Sequence, residues 1–156
     1  GATEALDLGW LCRQPYKGLY RASAGFYRDA FAADPRLGDE LKSAHRYNAA
    51  CSAALAAAGQ GEDVARLGAM QRLALRRQAL TWLRAELSLS ARLVASGEVG
   101  RSQLARSLAS WQKETALAGL RDKAELDKLS AEEQAACEKF WADVAALLKK
   151  SEEKAQ

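Results

Sequence analysis

"RYNAACSAALAAAGQGEDVARL", residues 46–67, decides how this chain folds. Its first half is almost all alanine, the strongest helix former. Gly59 and Gly61 then stop the run, because glycine loses the most backbone freedom in a helix and takes left-handed turns without strain. Ala49, Ala50, Ala53 and Ala54 offer a face over which a second helix can pass closely. One amide, Asn48, interrupts the alanines. The stretch therefore reads as a helix, a glycine turn and the entry to a further helix.

Working outward, the same helical spacing continues on both sides. Residues 3–14 predict a first helix with Leu6, Trp10 and Leu11 turned inward, broken by Pro15 and Gly18. A second helix spans about 19–33 and ends at Asp34-Pro35, since the residue before proline avoids the helical region. A third spans 37–58, with Leu41, Ala44, Asn48, Cys51 and Leu55 on one seam. A short helical turn is expected at 62–67, where Glu62-Asp63 suits a helix start. Residues 69–95 form the longest helix. Leu73, Leu80, Leu87 and Val94 make one apolar stripe on it, and Leu75, Trp82 and Leu89 a second, bridged by Ala79 and Leu83. Arg77, Thr81, Arg84, Ser88 and Arg92 take the remaining face. Further helices follow at 98–113, carrying Leu104, Leu108 and Trp111, and after the Ser130–Glu133 capping box, carrying Cys137, Phe140, Trp141, Val144, Leu147 and Leu148. Short helical turns fill 114–129. Residues 1–150 read as a single helical domain and 151–156 as a polar tail that frays.

Composition agrees. The chain of 156 residues has no isoleucine, and Val64, Val94, Val99, Val144, Thr3, Thr81 and Thr115 are its only β-branched residues. A strand-forming sequence needs more of them, so the fold class is all-α. No apolar run reaches membrane-spanning length. Cys12, Cys51 and Cys137 are odd in number and far apart, a pattern of buried thiols in a reducing, cytoplasmic setting. The chain begins Gly-Ala with its only methionine at Met70, as expected of a segment excised from a longer protein. Net charge is +3 and unevenly spread: −1 over residues 1–63, +6 over 64–106 and −2 over 107–156.

"FYRDAFAADP", residues 26–35, sets an aromatic residue, an alanine three later and a proline five after that. This is the second half of the tetratricopeptide signature, and Asn48 falls where such repeats often carry Asn in their first helix. The chain thus resembles helical hairpins of divergent tetratricopeptide type, in a short irregular solenoid or bundle. The interval from Pro35 to Asn48 exceeds the regular period by about five residues, which marks an insertion. Taken with "LDLGWLCRQPYKGLYRASAGFYRDAFAADPRL", "HRYNAACSAALAAAGQGED", "RRQALTWLRAEL" and "LSAEEQAACEKFWADVAALLKK", the chain from Leu6 to Lys150 resembles the carboxy-terminal tetratricopeptide-like segments of large bacterial serine/threonine protein kinases of the planctomycete sort. No Gly-rich phosphate loop, His-Arg-Asp or Asp-Phe-Gly motif occurs here. The resemblance therefore implies an appended interaction region and not an enzyme.

Few residues suggest chemistry. His45 is the only histidine and has no second ligand at helical spacing, so neither a triad nor a metal site is expected, and no cofactor. Tyr47 and Asn48 are partner-binding candidates. Asn48 either bonds a partner's backbone or carboxylate or, the preferred reading, bridges helices within the fold. Arg77, Arg84 and Arg92 are the electrostatic candidates, since arginine pairs well with acidic or phosphorylated peptides. The expected function is protein–protein interaction, with acidic protein or peptide partners. A basic nucleic-acid-binding helical domain is the rival, and no aromatic series interleaves the arginines to support it.

Overall fold

In the computed structural model, which describes residues 1–153, every regular element is a helix or a helical turn, and no strand occurs among the described residues. They form two compact units, Gly1–Glu86 and a second beginning at Leu87.

In the first unit, α1 (Ala2–Cys12) and α2 (Tyr20–Ala33) make a helical hairpin. Gly9 sets their closeness: a Cβ there would lie 3.0 Å from the Tyr27 ring. With Leu6 and Gly9 inward, Trp10 and Leu11 are turned outward and are 53% and 38% exposed. The expectation that both point inward is corrected. The hairpin needs the residue with no side chain at the contact, and Trp10, one position on, is rotated about 100° away from it.

Two 3₁₀ turns, Pro35–Asp39 and Leu41–Ser43, precede α3 (His45–Ala57). The helix predicted over 37–58 therefore starts eight residues late, and Leu41 and Ala44 leave its seam. Ala44 sits at the N-cap with φ 55°. Tertiary contacts override the local pattern here. Arg46 on α3 bonds Asp39 at 2.6 Å, and Gly38 lies directly under the Arg46 guanidinium, where a Cβ would be 2.8 Å from Nη2. Both contacts hold residues 38 and 39 in a turn against α3.

The alanine face behaves as the sequence suggests. Ala49, Ala50, Ala53 and Ala54 are at most 2% exposed. Beside them, the Ser23 hydroxyl donates to Gly9 O at 2.7 Å and shares a 2.9 Å bond with the Ser52 hydroxyl, tying α1, α2 and α3 at one fully buried point. Gly59 (φ 81°) closes α3 in a Schellman motif: Gln60 N donates to Leu55 O and Gly59 N to Ala56 O, both at 3.0 Å.

No helix forms at 62–67. Glu62 N donates to Gly18 O at 2.8 Å instead, and Val64 and Leu67 pack on Ala56, Tyr20 and Leu75. The longest helix, α4 (Ala69–Ala95), has the predicted bounds, and the boundary between the two units falls within it. Arg72 anchors its first turn by donating to Ala57 O at 3.2 Å and Leu67 O at 3.3 Å. In the first unit α4 buries Ala79, Trp82 and Leu83, and in the second Leu87 and Leu89.

The second unit is built on α5 (Arg101–Lys113) and α7 (Ala131–Glu152). Leu104, Leu108 and Trp111 face Cys137, Phe140 and Val144, with Trp111 stacked on Phe140 at 6.5 Å. Between them run a 3₁₀ turn, Thr115–Leu120, and a short helix, α6 (Lys123–Leu126). Arg121 donates to Glu114 O at 2.7 Å and Trp111 O at 3.3 Å and lies over the Trp141 ring. It thus adds a second donor to two carbonyls at the end of α5 that already accept from Glu114 N and Leu117 N. Ser130 accepts from Glu133 N at 3.2 Å, as the capping box predicts. Of the expected fraying tail, Ser151 and Glu152 remain helical, and residues 154–156 lie outside the described residues.

Candidate functional site

Asp63 lines a groove in the first unit. Its two carboxylate oxygens accept from Arg21 N at 3.2 Å and Ala22 N at 2.8 Å, the first free amides of α2. The residue before α2, Leu19, has no side chain able to cap, so the loop 41 residues downstream supplies the acceptor. The expectation that Glu62-Asp63 starts a local helix is thereby corrected. Asp63 does meet a helix dipole, but that of α2.

The groove lies between α2 and residues 69–86 of α4 and has a volume of about 670 Å³. One wall carries Arg21 and Arg28, a heptad apart on α2 and so separated by about 10 Å along its axis. The other carries Gln71 and Gln78 at the same spacing on α4. Ala24, Gly25, Leu75 and Trp82 form the floor. Below it the Trp82 ring meets Phe31 edge-on at 5.8 Å. The Arg21 guanidinium makes no ion pair or hydrogen bond among the described residues. Among the described residues Arg28 approaches only its neighbour Asp29, at 3.6 Å, with both side chains about two-thirds exposed. Such a pair is worth little in water and leaves Arg28 available. Gly25 sits inside α2, where glycine costs roughly 0.5–1 kcal/mol against alanine, and a Cβ there would approach nothing closer than Arg28 Nη2 at 3.9 Å.

None of the five sequence candidates lines this groove. Tyr47 and Asn48 are half-buried on α3, and the Asn48 amide makes no hydrogen bond among the described residues, so it does not bridge helices there. Arg77 is exposed, Arg84 is half-buried and already engaged within the fold, and Arg92 is exposed in the second unit. The basic band is thus partly structural: Arg72 holds carbonyls of the first unit, and Arg101 donates to Lys150 O at 2.9 Å. The groove residues that sequence reasoning missed did leave a signal, the Arg21/Arg28 and Gln71/Gln78 heptad pairs and a glycine in mid-helix.

A second polar cluster lies apart from the groove. Arg46 bridges Asp39 and Glu86, reaching Glu86 Oε1 at 3.4 Å, and Glu86 is 2% exposed. Burial pushes the Glu86 carboxyl up to about 7; Arg46 opposes the rise and Asp39 adds to it. His45 is partly buried, 4.0 Å from Glu40. None of the three cysteines forms a disulfide; Cys51 and Cys137 are buried and Cys12 is half-buried. Among the described residues no three His, Cys, Asp or Glu side chains cluster to hold a metal ion, and no helix is long and apolar enough to cross a membrane.

Comparison of the chain with protein-family models, with curated proteins and with solved structures gives no match.

Proposed function

We propose that the chain is a non-catalytic protein-interaction module of divergent tetratricopeptide type, appended to a larger bacterial signalling protein. The observation that carries this reading is the groove between α2 and α4. It combines an apolar floor with two arginines from α2 and two glutamines from α4, a lining suited to holding a partner's surface. Tyr27, Ala30 and Pro35, the tetratricopeptide-like triplet, support the repeat assignment, since Tyr27 and Ala30 are fully buried, Tyr27 against Gly9 of α1, and Pro35 follows the end of α2. Three cysteines that form no disulfide suit a reducing, cytoplasmic compartment.

The test is site-specific cross-linking. A photoreactive residue at Gln71 should give one discrete protein adduct in extract of the source cell, and the adduct should vanish when Gly25→Leu fills the floor. Adducts that persist unchanged in the Gly25→Leu protein would remove the groove from the function.

A further inference from the structure

Gly25 differs from Gly9 and Gly38 of its unit. At Gly9 a side chain would strike the Tyr27 ring, and at Gly38 the Arg46 guanidinium, so both are explained by neighbours inside the fold. At Gly25 there is room for a larger residue, and nothing in the unit fills it. The vacancy opens onto the groove, midway between Arg21 and Arg28.

We infer that this groove receives an acidic amphipathic helix of a partner protein, its carboxylates on Arg21 and Arg28 and its small residues over Gly25. The inference rests on the interaction-module reading and names the partner's chemistry. Charge selects an acidic partner. Arg21 has no partner among the described residues, Arg28 has one weak exposed pairing, and the acidic residue of the lining, Asp63, has both oxygens engaged by α2 amides. Backbone hydrogen bonding selects a helix. The groove walls are helices whose own amides are paired, so an extended peptide would lay unsatisfied N–H and C=O groups on an apolar floor, whereas a helix satisfies its own. Spacing agrees, because two acidic residues a heptad apart on an aligned helix match the rise between Arg21 and Arg28. Close approach needs small residues beneath, which Ala24 and Gly25 supply. Gln71 and Gln78 each carry a donor and an acceptor and can meet polar groups on the opposite edge of the incoming helix.

The experiment selects binders to the intact chain from a displayed library of amphipathic helices whose polar positions are randomised. The expected result is enrichment of helices with Glu or Asp a heptad apart. Their binding should fall on the order of tenfold at low salt with the double substitution Arg21→Gln, Arg28→Gln. It should be lost with Gly25→Leu and lost when proline is placed in the middle of the peptide. Both protein variants should keep the wild-type melting temperature, which separates a blocked groove from a failed fold. Enrichment of neutral or basic helices that still depend on Gly25 would overturn the acidic partner while leaving the interaction module standing. Undiminished binding of the proline peptides would overturn the helical partner. Equal competition by a single-stranded oligonucleotide, itself sensitive to Arg21 and Arg28, would overturn both in favour of nucleic acid. Enrichment indifferent to Gly25→Leu would end the groove reading altogether.

Discussion

Asp63 caps a helix it does not belong to: its Oδ2 accepts the Ala22 amide at 2.8 Å across 41 residues of chain. This single bond pair fixes the 62–67 loop against the start of α2 and gives the groove its upper end. Removing an N-cap acceptor costs about 1 kcal/mol. Asp63→Ala should therefore lower stability by that amount, and Asp63→Asn by less, since the amide oxygen still accepts one bond. Urea denaturation of both variants checks the order. Equal losses would mean that the carboxylate acts through charge alone.

Gly61 is required for a different reason from Gly97. Both have positive φ, 108° and 81°. A Cβ at Gly61 would lie 2.5 Å from Gly18 O, while at Gly97 nothing lies within 4 Å. Gly97→Ala should cost only the left-handed strain of about 1 kcal/mol. Gly61→Ala adds a backbone collision at the contact that joins the two loops, and should cost roughly 3 kcal/mol. Parallel thermal melts test the contrast.

Glu86 makes stability fall as pH rises. Its carboxyl goes from an ordinary 4.5 to about 7 in the fold, because burial disfavours the charge. Between those values the folded chain holds a proton that the unfolded chain has released, so the contribution is fully present at low pH and is lost as pH climbs through about 7. Glu86→Gln should flatten this slope and raise stability at pH 8 by roughly 2 kcal/mol. Denaturant midpoints of both proteins at pH 5, 6, 7 and 8 measure it.

Trp82 joins the core to the groove. It is 8% exposed, edge-on to Phe31. Trp82→Ala should cost roughly 3 kcal/mol, the low end for a buried tryptophan, because the vacated volume merges with the open groove and does not become a closed cavity. Trp82→Phe should lose less than half of that. The denaturation midpoints of the two variants decide it.

Much of the fold was legible from local pattern. The bounds of α4, the Ser130 cap, the alanine face of α3 and the glycine stop at Gly59 all follow from rules that act within one or two turns. The failures share one cause. Residues 37–44 look helical, but Asp39 and Gly38 are committed to Arg46; residues 62–67 look like a helix start, but Asp63 is committed to α2. Trp10 looks inward by hydrophobicity, but the hairpin contact goes to Gly9. In each case a partner tens of residues away, or on another helix, outweighs the local preference. The candidate site was misread likewise. An arginine count over 64–106 includes Arg72, which is bound to carbonyls, and leaves out Arg21, whose guanidinium has no partner among the described residues, and the groove combines helices whose adjacency no single stretch encodes.

The central claim is that partners dock between α2 and α4. Its most direct measurement is an amide and indole chemical-shift map of the labelled chain, titrated with an acidic amphipathic helical peptide. Shifts should concentrate at Ala24, Gly25, Leu75, Gln78 and the Trp82 indole and disappear with Gly25→Leu. Shifts confined to Arg77 and Thr81, on the exposed face of α4, would contradict the account and return the binding site to the basic band.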